Sequence, residues 1–300
     1  MQIKFIKMNG AGNDFVVIDN RLSAVGCQLS AEQIRALASR DNQITKGCDQ
    51  LLVLEQSTKA DVFMRIYNAD GGEVDACGNA TRCIADMLYK ELGRLPVTIE
   101  TNAAVLSGTA KNAESHILVD MGAPKFDWQD IPLAVPIEEA AAKVTAFSGL
   151  VNPIFISMGN PHVVFFLSFA PLNEGIDEQK LNRLTNTETL NIGKSLENYK
   201  EVFPKGVNVS FAILSRIPAD KEFSYNISAI VWERGAGLTK ACGTGACAML
   251  AAANKINPKI TNSKIRFENS NKQVIVELQE NGHILLGGAV ETEFERTVEI

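Results

Sequence analysis

Short, apolar, β-rich runs occur along the chain, and in each half they flank one stretch with a helical period. Ala80–Leu92 is amphipathic, with Arg82 and Asp86 four residues apart on its polar face, and Gly93 is suited to end a helix there. Gly245–Asn254 is apolar on almost every side, which predicts a buried helix. Hairpin-like strands are predicted after the two helices, at Val97–Thr101, Val105–Thr109, His116–Met121, Lys264–Glu268, Gln273–Gln279 and His283–Leu286.

The chain contains an internal repeat. Asn68–Gly78 aligns with Glu233–Gly243 without a gap, and each segment follows an apolar, strand-like run, Val62–Tyr67 in the first copy and Ile227–Trp232 in the second. Three more pairs of segments match in the same order: Gly12–Val17 with Gly159–Val164, His116–Val119 with His283–Leu286, and Gly122–Ala123 with Gly288–Ala289. Matches in one common order indicate a duplication. The sequence therefore predicts a mixed α/β (α+β) fold of two pseudo-symmetric domains, each a sheet wrapped around a central helix.

The boundary between the copies is predicted from proline content. Pro124–Pro136 holds three prolines and little periodicity, which is typical of a linker. We expect an N-terminal domain over residues 1–124, completed by about 288–300, and a C-terminal domain over 125–287. Residues 137–151 and 182–200 lack motifs, and we expect them to be surface insertions.

Composition narrows the class of protein. Of 300 residues, 46% are hydrophobic and 21% charged, as is usual for a globular chain. The net charge of −6 argues against nucleic acid or an anionic membrane as a partner. The first ten residues lack a continuous apolar stretch of the kind found in secretory signals, so we expect a cytoplasmic protein with free thiols.

Cys77 and Cys242 occupy equivalent positions in the repeat, each within Ala-Cys-Gly directly before a predicted helix. The first N–H groups of a helix lack internal partners and carry partial positive charge, so they can bind a carboxylate. The same position lowers the pKa of a thiol toward neutrality. Two such helix ends facing each other would place thiols on opposite sides of one carbon beside the bound carboxylate. That arrangement can invert the carbon without a cofactor.

The other cysteines, the histidines and the glycine-rich stretches indicate packing and turns more than further chemistry. The remaining cysteines, Cys27, Cys48, Cys83 and Cys247, are best explained by packing. Zinc is disfavoured because the sequence has no Cys-x-x-Cys and its three histidines are scattered, so no metal is expected. The glycine-rich stretches Asn9–Asn13 and Gly235–Gly237 complete no nucleotide-binding motif and are better explained as turns.

Several motifs together resemble one family. They are Met8–Phe15, Tyr67–Gly71, Ala76–Asn79, Met158–His162, Asn208-Val209, Trp232–Gly235 and Ala241–Ala246. In this order they resemble the diaminopimelate epimerases. The resemblance implies a pyridoxal-phosphate-independent isomerase, with no cofactor, that interconverts LL- and meso-diaminopimelate for lysine and peptidoglycan synthesis. It also implies a site in the cleft between the two domains and a homodimer, although Phe294 lies about where many members carry a dimer-contact tyrosine.

The resemblance also assigns roles to single residues. Cys77 would be the proton donor and Cys242 the acceptor in the LL-to-meso direction. Gly78, Asn79, Gly243 and Thr244 would bind the reacting carboxylate. Further substrate contacts would come from Asn13, Gln50, Asn68, Asn160, Asn208, Glu233 and Arg234. His162, together with Glu233, would tune the pKa values of the thiols.

Two alternatives remain open from the sequence. A proline or hydroxyproline racemase would also use two thiols, but its substrate has one charged end. A thiol redox or small-anion-binding protein would cycle Cys77 and Cys242 through a disulfide. Arg234, with a guanidinium suited to a carboxylate, and Glu233, able to receive an ammonium, favour a substrate charged at both ends.

Overall fold

The computed structural model of the chain describes residues 2–21, 29–75, 77–111, 117–170, 178–216 and 225–299. The chain divides into two compact units. The first comprises Met1–Asp120 and Gly287–Ile300, and the second comprises Met121–Leu286. The sequence placed the boundary at residues 124 and 125; the assignment of these units as two domains stays a prediction.

Strands dominate both units. The first contains β1 (Gln2–Gly10), β2 (Asn13–Asp19), α1 (Ala31–Ala38), β3 (Gln50–Glu55), β4 (Val62–Asn68), β5 (Glu73–Val74), α2 (Gly78–Leu92), β6 (Val97–Glu100), β7 (Val105–Lys111) and β8 (Ile117–Asp120). The second contains α3 (Ile137–Ser148), β9 (Ile154–Ser157), β10 (Pro161–Ala170), α4 (Glu178–Thr185), α5 (Thr187–Glu197), β11 (Asn208–Arg216), β12 (Tyr225–Glu233), β13 (Gly237–Leu238), α6 (Gly243–Ile256), β14 (Asn262–Phe267), β15 (Lys272–Leu278) and β16 (Ile284–Gly287). The last strand, β17 (Val290–Glu299), returns to the first unit and pairs antiparallel with β1.

Strand pairing follows one pattern in both units. In the first, β1–β2 is antiparallel, β2–β3 parallel, β3–β4 antiparallel, β4–β6 parallel and β6–β7 antiparallel. In the second, β9–β10, β10–β11, β11–β12, β12–β14 and β14–β15 repeat this sequence of directions. The shared pattern agrees with the internal repeat, and the predicted mixed α/β class is confirmed.

In each unit, one helix contacts five strands. α2 contacts β1, β6, β7, β8 and β17, and α6 contacts β9, β10, β11, β14 and β15. Gly93 ends α2 in the left-handed conformation, as predicted. α6 is buried continuously from Gly245 to Ala253, which confirms the prediction from its apolar surface. The placement of Arg82 on an exposed polar face is wrong, because its side chain is fully buried.

The expected surface insertions include helices that pack on the core of the second unit. Residues 137–151 contain α3, which buries Ala140 and Val144. Residues 182–200 contain the end of α4 and all of α5, which bury Leu184 and Leu196 in the same cluster. Most residues of these helices remain exposed or half-buried, so the segments lie at the surface and a narrow apolar face anchors each helix; their assignment as insertions stays a prediction. In the described part of the chain, no helix is both long and apolar enough to cross a membrane.

Candidate active site

In the first unit, four of the proposed substrate contacts form two hydrogen-bonded side-chain pairs, one of which involves the first turn of α2. Cys77 is the N-cap residue of this helix, with extended backbone, and it is half-buried. Asn79, in the first turn, donates from Nδ2 to Oδ1 of Asn13 at 2.5 Å. Gln50 donates from Nε2 to Oδ1 of Asn68 at 3.0 Å, because antiparallel pairing of β3 with β4 places them opposite each other. The structure thus brings together Asn13 with Asn79, and Gln50 with Asn68.

Behind Asn13 lies a charged cluster that the sequence analysis missed. Lys7 and Arg40 both donate to the carboxylate of Asp14, and Arg40 also donates to Asp49. Burial alone would raise the pKa of Asp14, but hydrogen bonds from Arg40 and Lys7 outweigh it and hold that pKa well below its usual range. The pKa of Asp49 is raised by burial and by the neighbouring Asp14 carboxylate. A sequence signal existed, since Asp14 follows Asn13 directly and Asp49 precedes Gln50.

In the second unit, Cys242 is the N-cap residue of α6 and is buried. Its Sγ accepts a hydrogen bond from the backbone N–H of Gly245 at 3.3 Å and lies 3.6 Å from Oγ1 of Thr244. The expectation that the helix end lowers this pKa toward neutrality is wrong for Cys242. Burial and the Glu233 carboxylate raise the pKa well above its usual value, and the hydrogen bonds from Thr244 and Gly245 only partly offset them.

His162 reaches Cys242 through a chain of hydrogen bonds. Nε2 of His162 lies 2.9 Å from Oδ1 of Asn160, and Nδ2 of Asn160 donates to Oγ1 of Thr244 at 3.3 Å. Since the amide oxygen can only accept, this chain assigns the ring proton to Nε2. Burial, followed by the charge of Arg234, lowers the pKa of His162 to about 3, so the ring is neutral near pH 7. His162 can therefore influence the thiol only as a neutral donor at the start of the chain.

The remaining predicted residues of the second unit also lie close to one another. Glu233, half-buried at the end of β12, accepts a hydrogen bond from the hydroxyl of Thr239 and interacts with Cys242. Burial raises the pKa of Glu233. Asn208 donates to the carbonyl of Pro161 at 2.9 Å and accepts from the backbone N–H of Arg234 at 2.9 Å. The side chain of Arg234 is held by the carbonyl of Lys205 at 3.2 Å.

The predicted residues thus form two groups, one in each unit. The first group is Asn13, Gln50, Asn68, Cys77, Gly78 and Asn79. The second is Asn160, His162, Asn208, Glu233, Arg234, Cys242, Gly243 and Thr244. Over the described residues, no three His, Cys, Asp or Glu side chains converge to hold a metal ion. Two other cysteines carry raised thiol pKa values because they are buried, about 11 for Cys48 and about 12 for Cys83, which agrees with packing roles.

Two α/β units of one strand pattern, each with a cysteine capping its central helix, define the fold class. A crystal structure of the Bacillus anthracis phenazine biosynthesis protein of the PhzF family shares this fold, with a TM-score of 0.64 and 18% identity over 100% of both chains.

Sequence comparison identifies the family. The family model described as diaminopimelate epimerase matches residues 5–126 and 154–292. The diaminopimelate epimerase of Acidiphilium cryptum is 40% identical over 291 residues, covering 97% of this chain and 94% of the relative. That of Rhizorhabdus wittichii is 42% identical over 266 residues, covering 89% and 84%.

This chain belongs to the diaminopimelate epimerase family. The resemblance recognised from its motifs is thereby confirmed, and the family is one of isomerases.

Proposed function

We propose that this protein is a diaminopimelate epimerase that inverts one α-carbon of LL-diaminopimelate to give the meso form, and the reverse, in the supply of lysine and peptidoglycan precursors. The family relationship over nearly the whole chain supports this activity. The observation that carries the mechanism is the repeated placement of a cysteine at the N-cap of the central helix, Cys77 on α2 and Cys242 on α6. The proposed reaction requires no cofactor.

In the proposed mechanism the two thiols act on opposite faces of one carbon. In the LL-to-meso direction the thiolate of Cys242 removes the α-proton, which forms an S–H bond as the C–H bond breaks. Cys77 then delivers its own proton to the other face, and the roles exchange in the reverse direction. The exposed N–H groups of the first turns, at Gly78 and Asn79 and at Gly243 and Thr244, bind the carboxylate and stabilise the charge that develops on it.

The surroundings of Cys242 suit a strong base. Burial and Glu233 make its thiolate costly to form, so the thiol holds its proton in the absence of substrate and must release it to solvent before it acts as the base. The hydroxyl of Thr244 and the N–H of Gly245 are the donors available to stabilise the thiolate during proton transfer. A thiolate with a high pKa accepts a weakly acidic α-proton more readily than one with a low pKa.

The polar groups away from the cysteines suit the distal end of the substrate. Diaminopimelate carries an ammonium and a carboxylate at each end, so the non-reacting end requires both donors and acceptors. Asn68 and Gln50 in the first unit, and Asn208 and Arg234 in the second, supply them. A proline-type substrate has no second charged end for these groups to bind.

The proposal also includes a homodimer and a cytoplasmic location, both expected from the sequence. Phe294 on β17 packs edge-on against Phe5 with ring centroids 6.1 Å apart.

Isotope exchange tests the proposed activity. The purified protein is incubated with LL-diaminopimelate in deuterated water without any cofactor or electron donor. We expect meso-diaminopimelate carrying solvent deuterium at one α-carbon only. At low conversion, before the symmetric LL form is regenerated and bound again by its other end, deuterium at both α-carbons of the product, or no exchange by a folded protein, would contradict the proposal. The same assay with L-proline separates the racemase alternative, for which exchange into proline is expected instead.

A further inference from the structure

The charged cluster behind Asn13 includes the carboxylate of Asp49. Oδ1 of Asp49 accepts from Nη2 of Arg40 at 2.6 Å, and Oδ2 accepts from the backbone N–H of Asp14 at 3.2 Å. The backbone N–H of Asp49 in turn donates to the carbonyl of Asp14 at 3.0 Å. Arg40 also makes two bonds to the Asp14 carboxylate, of 2.5 and 2.8 Å. Asp49 is therefore held from several directions, independently of Asn13.

Lys7 completes the cluster from the interior. It lies on the same face of β1 as Ile3 and Phe5, and only 3% of it is exposed. Its ammonium donates to Asp14 and to the carbonyl of Gly47. A buried lysine needs such partners. Two positively charged side chains, Lys7 and Arg40, lie against two carboxylates, Asp14 and Asp49, so the charges balance within the cluster. The cluster is thus a fixed part of the first unit.

The carboxylate of Asp49 faces the amide nitrogen of Asn13. Nδ2 of Asn13 lies 3.5 Å from Oδ2 of Asp49, a long contact to an oxygen that can only accept while Asp49 is ionised. Rotating the amide by a half-turn would put its oxygen against that carboxylate. With Nδ2 facing Asp49, Oδ1 of Asn13 faces the other way and accepts from Nδ2 of Asn79.

The orientation of Asn13 decides which atom of the Asn79 amide forms a hydrogen bond. Because Nδ2 of Asn79 is engaged by Asn13, its Oδ1 is left as a buried acceptor with no hydrogen-bond partner, in a residue only 3% exposed. Buried acceptors are rarely left unpaired, and those that are call for an explanation. This one lies in the first turn of α2, directly after Cys77 and Gly78. The N–H groups of that turn suit a carboxylate, and an amino acid carries an ammonium on the carbon next to its carboxylate.

We propose that Asp49 is a positioning residue which, held by Arg40 and Asp14, fixes the amide of Asn13 and through it presents Oδ1 of Asn79 to the ammonium group at the reacting end of the substrate. The inference rests on the proposed function for the identity of the ligand. The orientation of Asn13 and Asn79 by Asp49 does not depend on that identity. Asp49 acts through other residues and does not touch the substrate.

The variant Asp49→Asn tests the inference, with Asp61→Asn as its matched control. Asp61 is in the same unit and also accepts a backbone N–H bond, from Thr98 at 2.7 Å, and an arginine bond, from Arg94 at 2.5 Å. Asp49→Asn supplies an amide that can donate, which removes the preference for one orientation of Asn13. We expect the KM for LL-diaminopimelate to rise about tenfold, equivalent to about 1.4 kcal/mol, with kcat changed less. We expect Asp61→Asn to keep the wild-type KM.

A second readout does not use activity. In wild-type protein and in Asp61→Asn, the side-chain amide protons of Asn79 should exchange slowly with solvent, as measured by NMR, because they donate to Asn13. In Asp49→Asn we expect that exchange to be at least about tenfold faster. Arg40→Gln is a less disruptive variant, because the Arg40 side chain is 52% exposed. We expect it also to raise the KM and to speed the exchange of the Asn79 amide protons.

The outcomes separate the two proposals. Wild-type protein inactive on LL-diaminopimelate would reject the proposed function, and the exchange of Asn79 would still decide the role of Asp49. A folded Asp49→Asn or Arg40→Gln variant with wild-type KM and unchanged Asn79 exchange would overturn the positioning role. A raised KM with unchanged exchange would also overturn it, because Asp49 would then act by another route.

Discussion

Asn13 and Asn160 occupy equivalent positions in the two copies of the repeat, yet their amides make opposite hydrogen bonds to the helix beside them. Asn13 accepts from Asn79 in the first turn of α2, whereas Asn160 donates to Thr244 in the first turn of α6. The group behind each amide explains the reversal, since Asp49 accepts from Asn13 and His162 donates to Asn160. The duplicated frame therefore gives the first turns of α2 and α6 opposite hydrogen-bond partners.

Removing either proposed thiol should abolish epimerisation. For Cys77→Ser and Cys242→Ser we expect kcat to fall by at least about 100-fold, because a hydroxyl is a poor general acid or base at neutral pH. Cys83→Ala in α2 and Cys247→Ala in α6 are matched controls that remove a buried sulfur from the same helices. We expect these controls to lose some stability and keep their activity. Circular dichroism checks folding, and full activity in either serine variant would exclude that thiol.

Glu233 should set the ionisation of Cys242. The Glu233 carboxylate is the second cause of the raised thiol pKa after burial, so Glu233→Gln should lower that pKa. NMR of protein labelled with 13C at cysteine Cβ measures it directly. In the wild type we expect no thiolate signal from Cys242 below pH 9. A pKa unchanged in Glu233→Gln would show that the carboxylate does not act on the sulfur.

The raised pKa of Cys242 also has a consequence for stability. Above the usual pKa of about 8.5 for a cysteine, the unfolded chain loses the thiol proton while the folded chain retains it. The folded state then binds more protons, so stability should fall as pH rises past that value. Urea unfolding of wild type and Cys242→Ser between pH 8 and 10 isolates this contribution, which should be missing in the variant.

Thr244 should stabilise the thiolate of Cys242 through its hydroxyl. Thr244→Val keeps the shape of the side chain but removes the donor to Sγ and the acceptor for Asn160. We expect about a tenfold fall in kcat and a higher thiol pKa, whereas Thr244→Ser should stay close to wild type. Equal kinetics for the valine and serine variants would indicate that the hydroxyl takes no part.

His162 should remain neutral across the physiological range. With its pKa lowered to about 3, its ring signals should not titrate between pH 5 and 8 in NMR spectra. The unfolded chain takes up a proton near pH 6.5 and the folded chain does not, so stability should fall as pH drops from about 6.5 toward 3. His162→Asn should remove this part of the pH dependence. A ring that titrates near 6.5 would contradict the neutral hydrogen-bond chain.

Much of the fold could be read from local patterns. The helix after each Ala-Cys-Gly and the stop at Gly93 depend on residues close together in sequence, so the sequence predicted them correctly. Arg82 was misplaced because its burial depends on tertiary structure. α3 was missed because its apolar face is narrow, with Ala140 and Val144 as its buried residues.

In the candidate site, too, features set by local sequence could be predicted and features set by tertiary structure could not. The positions of Cys77 and Cys242 at helix ends follow from sequence, and both N-caps were found where predicted. The pKa of Cys242 could not be predicted from its helix position alone, since the burial and the Glu233 contact that raise it come from tertiary structure. The contact between Asp49 and Asn13 also depends on tertiary structure, because the parallel pairing of β2 with β3 brings the start of β2 close to the residue before β3.

The central claim is that Cys77 and Cys242 serve the same carbon, and oxidation tests whether their sulfurs can meet. The protein is treated with a mild oxidant, digested without reduction and analysed by peptide mass spectrometry, with activity measured in parallel. We expect a disulfide between Cys77 and Cys242 and loss of activity in proportion to its formation. A reductant should restore the two free thiols and the activity. Sulfurs that act on opposite faces of one carbon are close enough for small movements to join them. Oxidised, inactive protein in which both thiols remain free to react with iodoacetamide would contradict the claim.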